Sequence, residues 1–240
     1  MNETIRVLYE DNHLLVVNKP AGLATMGVGP DDPSLWRLAC RYLKTKYRKP
    51  GNVYLGVVSR LDALVTGVVV FARTSKAAAR LTEQFREADV HKLYWAIVER
   101  PPEPAQGACL DWLVKDEAQR RIVVANASTP DAREARLRYS TLARLPRAVG
   151  QTPGATLVEV ELETGRKHQI RVQLASRGWP VVGDGKYGAR APFPQGIGLH
   201  ARQLRLLHPV RREPLELIAP VPTSWPVRDD WRPSGEGAKF

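Results

Sequence analysis

Strand-like runs follow one another through most of this chain, and that pattern limits its fold more than any other feature. Residues 5–10 and 14–18 are β-branched-rich runs separated by Asp11-Asn12-His13, the pattern of a hairpin. Apolar runs at 53–58 and 68–72 come next, then 92–98, whose two alternating faces are both largely apolar, as in a strand covered on both sides. Short strands are predicted over 109–114, 121–125, 134–143 and 155–163, with a late one at 204–207. Helical spacing interrupts them only three times: over 34–48, ending before Pro50-Gly51; over 76–88, capped by Ser75; and after Thr164-Gly165, closed by Gly178 and Pro180. Strands in runs, without regular βαβ alternation, predict an α+β domain whose large mixed, mainly antiparallel sheet is flanked by helices and loops. No repeat or linker marks a boundary, so one domain is expected over 1–225 with a tail over 226–240. The Pro-rich end from Pro220 is expected on the surface or frayed.

Hydrophobic residues make up 43% of the 240, enough for a real core. Lys and Arg number 36 against 25 Asp and Glu, a net charge of +11 that favours polyanionic partners, nucleic acid first among them. The cations lie in short groups (Arg41, Lys44, Lys46, Arg48, Lys49; then Arg166, Lys167, Arg171; then Arg202, Arg205, Arg211, Arg212), which suits a folded groove better than a tail. Cys40 and Cys109 are too few and too far apart for a zinc site or a disulfide scaffold, and read as plain thiols of a reducing compartment. The start lacks a signal-peptide pattern and no apolar run reaches the roughly 20 residues of a membrane span. A cytoplasmic protein with no membrane partner is expected.

Chemistry concentrates in four stretches. Gly56 to Gly67 carries Arg60-Leu61-Asp62, one carboxylate beside a fixed cation between two apolar runs. Lys92 to Val98 carries Tyr94. Thr164 to Val172 carries Arg166, Lys167, His168 and Arg171, and leads on to Gly183-Asp184-Gly185-Lys186-Tyr187-Gly188. Leu199 to Leu204 carries His200 and Arg202. By residue type alone an Asp at a strand end is more often a turn residue, Tyr94 is equally a core tyrosine, and Arg171 a solvated helix arginine. Gly183-Asp184-Gly185 reads as a turn, because no strand-to-helix phosphate-loop pattern surrounds it. His168 and His200 lack the neighbours of metal ligands.

Taken together and in order, the four stretches, preceded by Val17-Asn18-Lys19-Pro20-Ala21-Gly22, resemble the RluA-type RNA pseudouridine synthases over about residues 5–219. The resemblance implies isomerisation of uridine in ribosomal or transfer RNA, without cofactor or metal. It implies Asp62, Tyr94 and Arg171 as catalytic residues. Asp62 would attack or stabilise the sugar, Tyr94 would stack on the uracil or accept a proton from the sugar, and Arg171 would keep Asp62 ionised. An Arg suits that last role because a nearby cation opposes the upward shift that burial imposes on a carboxylate. Arg60 would fill the space left by an extruded base, and Arg166, Lys167, His168 and Arg202 would contact RNA. Placed on one helix, Arg171 is expected to point inward and Lys167 outward.

Several positions depart from the family pattern. Ser59 stands where His is usual, Ala63-Leu64-Val65 replaces a polar run while Thr66-Gly67 keeps the turn, Lys167 replaces Thr, and Glu99-Arg100 replaces Gly. They bear on RNA choice more than on reaction type. The chain also begins directly at the catalytic domain, so no N-terminal accessory RNA-binding domain is expected, and a monomer is. The competing readings are a catalytically silent RNA-binding protein of the same fold, and a glycosidase, for which no second acid sits in a comparable motif.

Overall fold

A computed structural model describes residues 5–29, 32–145, 149 and 152–229. In chain order the elements are β1 (Arg6–Glu10), β2 (Leu14–Lys19), α1 (Leu35–Lys46), β3 (Gly56–Val57), β4 (Thr66–Ala72), α2 (Ser75–Arg86), β5 (His91–Val98), β6 (Gln106–Asp116), β7 (Arg121–Ala125), β8 (Arg133–Arg144), β9 (Thr156–Leu162), α3 (Gln169–Ala175), β10 (Leu199–Leu207) and β11 (Pro214–Ile218). The class is α+β, as the run of strands predicted. No helix among the described residues is long and apolar enough to cross a membrane. By its internal contacts the chain divides into two compact units, one of residues 1–92 and 201–220, the other of 93–200 and 221–240.

In the first unit the strand order is β1-β2-β4-β10, with β3 also on β4 and β11 on β10. β1 and β2 form the expected hairpin, closed by Asp11, whose carboxylate accepts the backbone N–H groups of His13 and Leu14 at 2.7 and 2.8 Å. β2 and β4 pair antiparallel from Leu14 opposite Ala72 to Lys19 opposite Gly67. Leu15, Val17, Val69 and Phe71 pack with Leu35, Ala39 and Leu43, which helical spacing sets on one face of α1. Leu14, Val16, Val68 and Val70 on the other face are equally buried, so these strands have no solvent side. This register sets the end of β2 beside the start of β4. The segment after one strand and the segment before the other must therefore run together, and the second of them carries Asp62.

Local expectations need three corrections in this unit. Thr66-Gly67 is not a turn but the start of β4. Gly67 has φ +118°, and a Cβ there would lie 2.3 Å from the Ala201 carbonyl oxygen, so the close passage of β10 excludes any side chain. Thr74, not Ser75, caps α2, its hydroxyl accepting from the Ala77 N–H at 3.2 Å. The run at 53–58 contributes only Gly56 and Val57 to the sheet.

In the second unit the strand order is β5-β9-β8-β6-β7, and the registered pairs are all antiparallel. One core gathers Trp95, Ile97, Leu157, Phe193, Val221 and Trp225. The end of the chain thus differs from expectation. Val221, Trp225 and Val227 are buried, because apolar side chains between the prolines fill this core rather than the surface. The tail expected over 226–240 lies, from 230 onward, outside the described residues. α3 starts later than its spacing suggests. His168 adopts φ +55°, a left-handed conformation that breaks helical geometry, so Lys167 lies before the helix and not on it.

Candidate active site

Asp62 sits half-buried in the loop between β3 and β4, and the segment that follows β2 grips that loop on both sides of it. On one side, the Thr25 hydroxyl donates to the Leu61 carbonyl at 2.9 Å and accepts from the Leu61 N–H at 3.1 Å. On the other, the Ala63 carbonyl accepts from the Gly22 N–H at 2.9 Å and from the Lys19 ammonium at 2.9 Å. The Asp62 carbonyl itself accepts from the Val65 N–H at 3.1 Å. Backbone groups that would otherwise be solvated in a loop are satisfied here by the Thr25 and Lys19 side chains and by the Gly22 and Val65 N–H groups, which turns a loop into a fixed mount.

Lys19 is wholly buried, and its ammonium also bonds the carbonyls of Pro20 and Leu23 at 2.8 and 2.7 Å. Burial pushes it down to about 7, against the pull of the Asp62 carboxylate. Thr25 is 2% exposed. The sequence assigns neither a role: Lys19 stands in the Val17–Gly22 stretch of the family resemblance with no function attached, and Thr25 carries no motif. The available signal for Lys19 was a lone cation at the end of a run with no solvent face.

The residues around Asp62 that depart from the family pattern have defined places. The Ser59 hydroxyl accepts from the Val70 N–H at 3.3 Å, extending the tie of this segment to β4 beyond the two residues of β3. Ala63 and Leu64 are exposed apolar groups next to the carboxylate, while Val65 is core. Arg60 is exposed, and Arg202 is half-buried and donates to the Ala219 carbonyl at 2.6 Å, a tie to its own fold.

In the second unit, Tyr94 is half-buried on β5 opposite Val160 of β9. Its neighbour Trp95 points to the other face and donates to Glu159 at 3.3 Å. Arg171 lies on α3 and is 4% exposed, inward as expected, whereas Arg166 and Lys167 are exposed. The Arg171 guanidinium makes a two-point ion pair with Asp184, Nε to Oδ2 at 2.6 Å and Nη2 to Oδ1 at 2.8 Å. Its centre also stands 5.0 Å from the Tyr187 ring centroid. The Tyr187 hydroxyl accepts from the Ile122 N–H at 3.1 Å and bonds His168 Nδ1 at 2.8 Å. A fork held at two points with its plane fixed by a ring has little rotational freedom. From its sequence, Gly183-Asp184-Gly185 is expected to be a turn, with no partner assigned to Asp184. Its Gly neighbours do make the turn, Gly183 at φ +86°, but its carboxylate is buried and serves Arg171. Truncating one member of such a buried pair costs about 3–5 kcal/mol, because the other charge is left uncompensated.

The loop before α3 is held in the same way. Gln169 accepts from the Thr164 hydroxyl at 2.8 Å and the Arg166 N–H at 2.9 Å, and donates to the Arg136 carbonyl at 2.9 Å. The Arg166 side chain donates to the Glu134 carbonyl at 2.8 Å. Glu99, another departure from the family pattern, accepts the N–H groups of Arg190 and Ala191. His200 is wholly buried with its ring 5.6 Å from that of Trp225. Cys40 and Cys109 are thiols pushed up to about 11 by burial. Among the described residues no three His, Cys, Asp or Glu side chains stand together as metal ligands would.

The protein is thus an α+β scaffold of antiparallel strands that mounts one acid on a clamped loop, in a chain with a cationic excess. Residues 13–176 match the family described as RNA pseudouridylate synthase, and the chain belongs to that family. It is 37% identical over 236 residues to a ribosomal large subunit pseudouridine synthase D of Xanthomonas campestris, covering 91% of this chain but 66% of that relative. With a tRNA pseudouridine synthase C of Vibrio cholerae the identity is 31%, covering 92% of this chain and 93% of the relative. Among solved structures, the human RNA pseudouridylate synthase domain containing 4 superposes with a TM-score of 0.73 at 29% identity, over 91% of this chain and 89% of that one.

Proposed function

We propose that this protein isomerises uridine to pseudouridine in structured ribosomal or transfer RNA, with the ionised Asp62 carboxylate as its nucleophile. The observation that carries this reading is the family match over residues 13–176, which includes Asp62, Tyr94 and Arg171. The bond between nitrogen 1 of the uracil and the ribose carbon breaks, the base turns, and carbon 5 bonds to the same ribose carbon. Carbon 5 then gives up its hydrogen to solvent and nitrogen 1 takes a proton, so nothing is consumed and no cofactor is called for.

A carboxylate can bond to, or stabilise, the positive charge that develops on the sugar as the base leaves. Its position must be held to a fraction of an ångström for that, and the two-sided grip of the 19–25 segment supports this role. Tyr94 is proposed against the uracil or the sugar, where a phenol offers both a ring face and a polar tip. Arg171 is proposed to keep Asp62 charged, with Asp184 fixing the orientation of the guanidinium. Arg60 is proposed to replace the extruded base, a step that costs a few kcal/mol of unstacking. Arg166, Lys167, His168 and Arg202 are proposed at the RNA backbone.

The test is release of tritium from carbon 5 of uridine in unmodified ribosomal and transfer RNA transcripts. Wild type should release it and Asp62→Asn should not. Equal release by the two overturns the role of Asp62. RNA binding with no release by wild type favours the catalytically silent reading instead.

A further inference from the structure

Residues 33–61 contain no Asp or Glu, yet Arg37, Arg41, Lys44, Lys46, Arg48, Lys49 and Arg60 all fall within them. Seven cations without one acid is a large share of a net charge of +11. α1 explains how most of them are displayed. Its buried side is Leu35, Leu38, Ala39 and Leu43, so Arg37, Arg41 and Lys44, spaced four and three apart, fall along its opposite side, and Arg48 and Lys49 follow just beyond its C-terminal end, Arg48 at φ +49°. Arg41, Lys44, Arg48 and Lys49 are exposed, and among the described residues no carboxylate pairs with any of them. Lys46 differs, being paired with Glu10 at 2.7 Å.

Such a stripe works against the helix that carries it. Like charges three and four apart each cost a few tenths of a kcal/mol, and exposed helices ordinarily interleave acids to avoid it. A persistent, unneutralised row is stabilised when an extended anion lies along it. An anionic membrane surface fits poorly, because the apolar side of α1 is committed to the core and has nothing to insert. A nucleic-acid backbone needs no insertion, only spaced phosphates facing spaced cations.

We propose that the Arg41–Lys44–Arg48–Lys49 face is an RNA-backbone docking surface that adds affinity for the substrate RNA without touching the target nucleotide. The proposal rests on the reading of the protein as an RNA-modifying enzyme. It assigns this face a part in holding RNA and none in the reaction.

The experiment compares the full chain with a variant carrying Arg41→Gln, Lys44→Gln, Arg48→Gln and Lys49→Gln. A control removes the same charge elsewhere, through Arg6→Gln, Lys76→Gln, Arg120→Gln and Arg133→Gln, all exposed positions. Binding to an unmodified ribosomal RNA transcript is measured across a salt series, with turnover alongside. The slope of log affinity against log salt should fall by about 3 for the face variant, at about 0.7–0.9 for each of four lost phosphate contacts, and by clearly less for the control. KM should rise on the order of 10-fold with kcat at saturating RNA unchanged, and the thermal midpoint should not drop. If the fourfold variant fails to fold, the pairs Arg41→Gln/Lys44→Gln and Arg48→Gln/Lys49→Gln are measured separately, each with half the slope change. An unchanged slope, or an equal change in the control, overturns the proposal while leaving the enzyme reading intact. Wild type that binds the transcript without salt dependence overturns both. Loss of binding to phosphatidylserine vesicles with RNA binding unaltered assigns the face to a membrane instead.

Discussion

At the scale of single residues, the protein spends its buried polar groups on orientation. Thr25 bonds both backbone groups of Leu61, the residue before the acid, so its hydroxyl does what a paired strand would do. Thr25→Val should leave both groups unsatisfied, destabilising the fold by about 2 kcal/mol, and turnover should fall about 10- to 100-fold, because small misplacements of a reacting group are expensive. KM should stay the same and Thr25→Ser should restore turnover; single-turnover kinetics on a transcript checks all three. A valine variant of wild-type turnover would show that Asp62 does not need this support. Lys19 adds a pH dependence with a definite sign. The unfolded chain keeps this proton to about 10.5, and the folded one only to about 7. Between those values unfolding takes up a proton, so raising the pH favours the folded state. Urea unfolding should therefore give a stability difference, wild type minus Lys19→Met, that is flat below pH 7 and grows toward pH 10. A difference independent of pH over that range contradicts the depressed value.

At the scale of elements, Gly67 shows how a strand can be dictated by its neighbour rather than by its own residues. With the Ala201 backbone 2.3–2.8 Å from where a Cβ would stand, Gly67→Ala forces β4 and β10 apart. It should cost about 3 kcal/mol or more, beyond the usual 1–3 for an overpacked core, because the clash is with backbone and φ is unfavourable as well. Denaturant unfolding measures this, and a cost under 1 kcal/mol would mean that the strands can separate freely. The example also marks what a sequence can reveal. β1, β2, α1 and the strands β6 to β9 were legible, since each carries its own period or turn residues, as in the Leu35, Leu38, Ala39, Leu43 face. β11 was not, because Pro214-Leu-Glu-Leu-Ile is too short to show a period and is defined by its pairing with β10. α3 was displaced because the residue that starts it, His168, adopts a conformation that spacing cannot register. The residues proposed for the reaction divide in the same way. Asp62, Tyr94 and Arg171 stand in local motifs, whereas Lys19, Thr25 and Asp184 matter through partners that are distant in the chain or hidden in a turn.

At the scale of the whole molecule, chain order and structural order disagree, and this has a consequence for folding. The first unit takes residues 201–220 from the far end of the sequence. They supply β11 and most of β10, and they carry ties that 1–92 cannot make alone. Gln84 on α2 donates to the Leu207 carbonyl and accepts its N–H, both at 2.9 Å. Arg80 donates to the Pro209 carbonyl at 2.7 Å, and Asn18 to that of Pro220 at 2.9 Å. His208 is wholly buried and bonds Asp11 at 2.8 Å, the residue that closes the β1–β2 turn. Although burial alone would raise it, Asp11 is held down to about 2 by the N–H groups of His13 and Leu14, by Tyr9 and by this His208. Without 201–220, one edge of β4, the polar atoms of Gln84 and the turn acid all lose their partners at once. A fragment of 1–92 should therefore lack a cooperative thermal transition and show collapsed amide dispersion. The same fragment joined to 201–220 through a flexible Gly/Ser linker should recover both, since lengthening a loop costs little compared with restoring a strand pair. Amide spectra and calorimetry of the two fragments distinguish the cases. A well-folded 1–92 fragment would mean that the hairpin, β4 and the two helices are sufficient for the mount of Asp62, and that β10 and β11 are additions to it rather than parts of it.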